Sequence, residues 1–304
     1  MIKVKPEVNV IASGLGFIEG PAVADGVIYT CDIRGGRIWQ VSNGLPTVLS
    51  TVGGGPNGIA IGPDGQIYVA NNGGNMRWES RDGLTLSHGF QTQDYDSRIE
   101  SIDLDTKQVE RIVDNINGTK FEAIDDLVFD SHHGFWFTDL GRDGDRHRTY
   151  GGVYWASGLS GKCREVAYPL EMGANGLGLS PDGKKLYATE YGAGRLWSWD
   201  IDSPGYLKNT NNDSRHGGKL VWQAPDAQLL DSLAIAADGN IFVATQPLGV
   251  FSVITPNGLH IATLEMPEHF PTNLCFDPDQ PNAAYVTLSS TGILARVEWD
   301  SKAF

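Results

Sequence analysis

One short pattern recurs six times along this chain: a polar residue, two or three apolar ones, an Asp-Gly-type turn, then a second apolar run. It runs from Glu19-Gly20-Pro21 to Asp25-Gly26, from Asn57-Gly58-Ile59 to Pro63-Asp64-Gly65, and from Asp125-Asp126-Leu127 to His133-Gly134. It returns at Asn175-Gly176-Leu177 with Asp182-Gly183, at Asp231-Ser232-Leu233 with Asp238-Gly239, and at Thr272-Asn273-Leu274 with Asp277 to Asp279. Copies set roughly 40 to 70 residues apart over almost the whole length are the signature of a propeller or solenoid. They predict one domain over residues 1–304.

Within a copy the period is two. Ile59 and Ile61 alternate with small residues before the turn, and Ile67 and Val69 follow it, which is a hairpin whose Gly tolerates positive φ. A loop and a second apolar pair come next, as in Gly152-Val153-Tyr154-Trp155 and Gly249-Val250-Phe251-Ser252-Val253. Four antiparallel strands per copy make a propeller blade, so the expected fold is all-β, a six-bladed β-propeller. The last copy reaches Phe304 with no strand to spare, while Val8 to Ala12 precedes the first. The N-terminal segment is therefore expected to complete the last blade and close the ring.

Composition agrees: 38 glycines, a charged fraction of 20%, and no sustained helix-period stripe. A net charge of −14 excludes the basic face of a nucleic-acid protein, and no segment is apolar enough to span a bilayer or serve as a signal peptide. A soluble cytoplasmic protein is expected. Cys31, Cys163 and Cys275 are few and unclustered, which argues against disulfides or a thiolate zinc site. The sequons at Asn117-Gly118-Thr119 and Asn212-Asp213-Ser214 are read as chance without an export signal.

In an up-and-down blade the first strand lines the central channel and its opening residue sits at one mouth. Glu19, Asn57, Asp125, Asn175 and Asp231 are thus expected to converge there. Carboxylates gathered at low dielectric cannot all stay ionised without a cation. These hard oxygen donors suit Ca²⁺, Mg²⁺ or Mn²⁺ better than zinc, and an irregular oxygen cage suits Ca²⁺ best. The bland alternative is that Asn and Asp before Gly are turn residues. Asn57, inside a full Gly-Pro-Asn-Gly signal, fits that reading best, and Thr272 and Asn273 are open to it too. The loop after each second strand returns to the same mouth. Those of Asn71 to Arg98 and Asp139 to Tyr150 are long, so substrate contacts are expected from them.

Glu19-Gly20-Pro21, Asn175-Gly176-Leu177 and Asp231-Ser232-Leu233 together resemble the SMP-30/gluconolactonase/luciferin-regenerating-like family over nearly the whole chain. Asp125-Asp126 resembles the Drp35-type lactonases within it. The resemblance implies a hydrolase, a lactonase of sugar-lactone (gluconolactonase) type, with one divalent cation as cofactor, Ca²⁺ first and Mn²⁺, Mg²⁺ or Zn²⁺ as alternatives. It assigns metal binding to Glu19, Asn175 and Asp231, joined by Asp125, and catalysis to Asp231 as general base with Asp125 as runner-up. Substrate contacts are expected from Asn57, Arg142 and Tyr191, with His88, His147 and Arg148 also in mouth loops and His132-His133 at the opposite turn. The expected partner is a small-molecule lactone, with no nucleic acid and no membrane. Two rivals stay open: a phosphotriesterase of diisopropylfluorophosphatase type, and a non-enzymatic ligand-binding propeller with a structural cation.

Overall fold

Short alternating runs bounded by Gly, Asn and Asp turns favour strands and hairpins, and the chain forms little else. The computed structural model describes residues 1–74, 76–91, 95–144, 146–158, 161–208 and 214–304. Among these the helical content is a single 3-10 turn, Tyr191–Ala193, closed by Gly194 in the left-handed region at φ 62°. No helix among the described residues is long and apolar enough to cross a membrane. Asn117-Gly118 forms the turn of a small exposed hairpin, whereas Asn212 and Asp213 lie outside the described residues.

Six antiparallel sheets stand as the blades of a propeller. Blade 1 is Ile18–Ala24, Val27–Asp32, Arg37–Ser42 and Leu45–Thr51, counted outward from the channel. Blade 2 is Pro56–Ile61, Ile67–Asn71, Arg98–Ile102 and Val109–Val113. Blade 3 is Ile124–Phe129, Gly134–Asp139, Gly151–Ser157 and Cys163–Leu170. Blade 4 is Ala174–Leu179, Lys185–Glu190, Arg195–Ser203 and Lys219–Gln223. Blade 5 is Leu229–Ile235, Ile241–Gln246, Val250–Ile254 and His260–Glu265. Blade 6 is Pro271–Phe276, Ala283–Leu288 and Ile293–Glu298, completed on its outside by Glu7–Ala12.

Closure follows the expected route: Glu7 pairs with Glu298 and Ala12 with Leu294, antiparallel. The first residues do something the sequence pattern did not announce. Ile2–Val4 adds a parallel edge strand to blade 5 against His260–Glu265, and three residues are too few to display a period. The chain's start therefore fastens two adjacent blades.

The core lies between blades rather than inside any one of them. Tyr29, Ile38, Ile59 and Val69 fill the interface of blades 1 and 2. Ile99, Leu127, Phe135 and Phe137 fill that of blades 2 and 3, and Trp136, Val153, Leu186 and Trp197 that of blades 3 and 4. Tyr187, Leu196, Leu233 and Val243 join blades 4 and 5. Phe242, Phe251, Val286 and Val297 join blades 5 and 6, and Ile18, Ile28, Val41 and Leu294 close the circle. Second strands such as Ile67–Asn71 and Gly134–Asp139 are buried at every residue, because both of their faces meet a neighbouring blade. At about 1.5–3 kcal/mol for each large apolar side chain buried, these interfaces supply the main driving force for closing the ring.

Candidate active site at the channel mouth

Every innermost strand carries the same defect at the same place. The pairing register with the second strand slips between Glu19 and Ala22, Pro56 and Ile59, Ile124 and Leu127, Ala174 and Leu177, Leu230 and Leu233, and Pro271 and Asn273. A bulge interrupts strict alternation and re-aims a side chain. Asn57, Asp125, Asn175, Asp231 and Thr272 lie inside these slips and Glu19, still paired with Cys31, at the edge of its own; all six line one cavity of about 590 Å³. The polar opening residues of the repeat are thus carried to a common space by a shared backbone irregularity.

Three of the six opening residues are followed by glycine, and strand-to-strand packing explains it. A Cβ on Gly58 would stand 2.8 Å from Asp126 Cα, and one on Gly176 would stand 2.5 Å from Ser232 Cα. Both are close approaches between the innermost strands of neighbouring blades, where only hydrogen fits.

Second strands hold the bulges in place. Thr30 Oγ1 donates to Glu19 O (2.7 Å), Thr138 Oγ1 to Asn175 O (2.5 Å) and Thr189 Oγ1 to Asp231 O (2.9 Å). In three blades the last residue of the second strand turns back on the loop that leads into its own blade. Asn71 Oδ1 accepts from Gly55 N (2.9 Å), Asp139 accepts from Glu122 N (2.9 Å) and Ala123 N (2.8 Å), and Glu190 Oε1 accepts from Met172 N (3.1 Å).

Three carboxylates meet at the mouth, and each accepts from an amide. Asn273 Nδ2 donates to Glu19 Oε2 (2.8 Å), Asn57 Nδ2 to Asp125 Oδ2 (3.0 Å) and Gln246 Nε2 to Asp231 Oδ2 (2.6 Å). Asn175 also hydrogen-bonds Asp231, and its Oδ1 is buried with no partner among the described residues. Burial pushes Glu19 from 4.5 to about 7, against hydrogen bonds from Asn273, Gly20 and Thr272. Burial, then the charges of Asp231 and Glu19, hold Asp125 well above the carboxylate range. Asp231 is raised by burial and by Glu19, while Asn175 and Gln246 pull it down. Asp126 does not line the cavity; it accepts from Leu127 N (2.8 Å), and burial followed by the Glu19 charge takes it to about 8.

Such a set repels itself when ionised and attracts either protons or a cation. Among the described residues no three His, Cys, Asp or Glu side chains close on one point. A cation here needs amide oxygen as well as carboxylate, and the orphaned Asn175 Oδ1 is a donor of that kind. The donor set is all oxygen, which fits Ca²⁺ or Mg²⁺ better than a thiolate-preferring metal.

Of the residues expected to touch substrate, Asn57 and Tyr191 line the cavity and Arg142 does not. Burial, then the neighbouring Asp231 and Asp125, raises the Tyr191 phenol above its usual range, so Tyr191 stands beside the acidic group. Arg142 is committed elsewhere: Nε donates to Glu122 O and Nη2 to Asn72 O, both at 2.6 Å, with its guanidinium between the rings of Phe90 (4.3 Å) and Tyr95 (3.8 Å). It braces the mouth loops. Arg148, ion-paired with Asp143 at 2.8 Å, and His88, against Glu79 at 2.6 Å, do line the cavity. His147 is exposed and outside the lining, and His132-His133 sits in an exposed hairpin turn.

Gln246 and Asn273, which hold two of the carboxylates, were not singled out for that role by sequence reasoning. Gln246 had a signal, since Thr138-Asp139, Thr189-Glu190 and Thr245-Gln246 repeat at the ends of second strands. Asn273 had none beyond its place next to Thr272.

A family profile described as SMP-30/Gluconolactonase/LRE-like region matches residues 17–290. A gluconolactonase of Zymomonas mobilis is 25% identical over an alignment 323 residues long, covering 98% of this chain and 83% of the relative. Lactonase drp35 of Staphylococcus saprophyticus is 29% identical over 245 residues, covering 80% and 67%. Among solved structures, a gluconolactonase from Xanthomonas campestris superposes with a TM-score of 0.75 at 18% identity, over 97% of this chain and 90% of its own. The calcium-binding protein regucalcin from Agrobacterium tumefaciens gives 0.72 at 16% identity, over 98% and 96%. These two superpositions bear on fold.

Proposed function

Since the chain belongs to the SMP-30/gluconolactonase/LRE-like family, we propose that it is a hydrolase that opens a lactone ring at the mouth of its channel. The observation that carries the reading is the cluster of Glu19, Asp125 and Asp231, each accepting from an amide, beside the partnerless Asn175 Oδ1. The names of its relatives, gluconolactonase and lactonase, support the same chemistry.

Glu19, Asn175 and Asp231, with Asp125 adjacent, would hold one divalent cation, Ca²⁺ by donor type. When bound, that cation supplies Lewis-acid polarisation of the lactone carbonyl and screens the carboxylates. The chain's own residues do the rest. Asp231 takes a proton from water as its oxygen attacks the carbonyl carbon, forming a tetrahedral intermediate. Collapse of the intermediate breaks the ring C–O bond, and the proton returns from Asp231 to the departing alkoxide, giving a hydroxy acid. Gln246 and Asn175 fix the Asp231 carboxylate through this exchange. Asn57 orients Asp125, which stands second as a base, and Tyr191 offers a phenol beside both.

The test is pH-stat hydrolysis of a lactone panel, with a phosphotriester alongside, before and after exhaustive chelation. Lactone turnover that is lost on chelation and returns with Ca²⁺ or Mn²⁺ is expected. An undiminished rate after chelation overturns the role of the cation, and turnover of the phosphotriester alone overturns the lactone. Asp231→Asn keeps the shape of the site and is expected to lose about 10²- to 10⁴-fold in rate; a near-normal rate moves the base to another residue.

A further inference from the structure

The connection between the second and third strands of blade 2 carries a hairpin, Met76–Arg81 with Leu84–Phe90, that pairs only with itself among the described strands. It is nevertheless fastened to three other blades. Thr85 N donates to Ser290 O of the blade 6 connection at 2.8 Å. The Trp78 ring meets Phe17, just ahead of blade 1, edge-on at 5.1 Å, with the Arg34 guanidinium 6.0 Å from its centroid. Phe90 lies 4.3 Å from the guanidinium of Arg142, in the blade 3 connection. The hairpin thus reaches from blade 3 to blade 6 along the mouth of the channel.

Between these anchors it contributes Met76, Leu86 and Phe90 to the cavity, and Phe17, Ile33 and Phe270 from other elements add to the same lining. At the rim His88 is paired with Glu79, and Arg148 with Asp143 through Nη1, while Arg148 Nε is buried with no partner among the described residues. A polyhydroxylated ring placed against the apolar residues would bury hydroxyls without partners, at a cost of roughly tenfold or more in affinity for each. An alkyl chain there gains up to about fourfold for each methylene buried.

We infer that the hairpin is the substrate-selecting wall of the site, and that the chain takes lactones bearing an apolar alkyl substituent in preference to polyhydroxylated sugar lactones. The inference rests on the lactone-hydrolase reading for the identity of the ring, and its test separates the two. Calorimetric binding of δ-lactams, which resist hydrolysis, is measured for ring substituents from none to hexyl and for the gluconic lactam. In parallel, kcat/KM is measured for the matching lactones.

Affinity is expected to climb by up to about fourfold per methylene, with the gluconic lactam at least tenfold weaker than the hexyl one. Leu86→Asn and, independently, Met76→Gln are expected to flatten the ladder, with a thermal melt checking that each variant folds. A flat ladder in the unaltered protein, or tighter binding of the gluconic lactam, overturns the inference. A climbing ladder without hydrolysis of any lactone upholds the selecting wall and overturns the hydrolase; lactone turnover with a sugar preference does the reverse.

Discussion

At the scale of single residues, the site is built from pairs in which a side chain and a backbone group are fixed separately. Asp231 offers its carboxylate to Gln246 and Asn175, while its carbonyl accepts from Thr189 Oγ1 at 2.9 Å. Thr189 is fully buried, so removal of its hydroxyl leaves that carbonyl without this donor. Thr189→Val keeps the shape and is expected to lower stability by about 1–3 kcal/mol, measured by urea unfolding, and to reduce turnover by shifting Asp231. Thr189→Ser should recover most of both. Unchanged stability in the valine variant would mean that the hydroxyl does not support the bulge. The opening residues themselves were legible in the sequence, because six copies of one pattern align Glu19, Asn57, Asp125, Asn175 and Asp231 in one column. Their partners were not, since a hydrogen bond such as Asn273 to Glu19 joins residues 254 positions apart.

At the scale of elements, strands and turns were legible for a local reason. Alternation and Asp-Gly turns are properties of five to ten consecutive residues, and the structure keeps nearly all of them as hairpins. The inserted hairpin of blade 2 carried the same signal. Asp82 and Gly83 both take positive φ, at 54° and 80°, as a tight two-residue turn requires, yet the stretch from Asn71 to Arg98 reads most simply as a long loop. The bulges were not read, because a register slip is defined against the partner strand and not by the strand's own residues. Closure by Glu7–Ala12 leads to a test at this scale. Deleting residues 1–12 removes the outer strand of blade 6 and the parallel edge strand on blade 5, and bares the hydrogen-bonding edge of Ile293–Glu298. The truncated chain is expected to aggregate and to lose its cooperative melt. Size-exclusion chromatography and calorimetry check this, and a monomer with an unaltered melt would show that the ring closes without the strand.

At the scale of the whole molecule, six interfaces press the innermost strands around one channel, and the acidic residues gathered there work against the core that gathers them. An acid whose pKa is raised on folding binds its proton more tightly in the folded state. Its favourable contribution is therefore present below the unfolded value and lost as pH rises through the folded one. For Glu19, moved from 4.5 to about 7, the loss falls between those limits and amounts to about 3 kcal/mol. Asp126, at about 8, extends the window upward. The chelated protein is thus expected to melt at progressively lower temperature between about pH 5 and pH 8. Added Ca²⁺ should raise the melting temperature most at the alkaline end, where protons no longer compete for the same oxygens. Calorimetry across that range, with and without the cation, makes the comparison. A chelated melt that rises with pH would contradict the sign, and a Ca²⁺ effect independent of pH would place the ion away from these carboxylates.

The amino-acid sequence alone determined the number of blades, the strand that closes them and the column of polar opening residues. Each of these is written in short-range periodicity and in its repetition. Tertiary structure alone decided which members of that column touch, which amides hold them, that Arg142 braces loops while Tyr191 stands beside the carboxylates, and that an inserted hairpin adds an apolar wall. The physical reason is distance along the chain. Burial, charge coupling and hydrogen bonding at the mouth act between residues on different blades, which only closure of the ring brings within a few ångströms of one another.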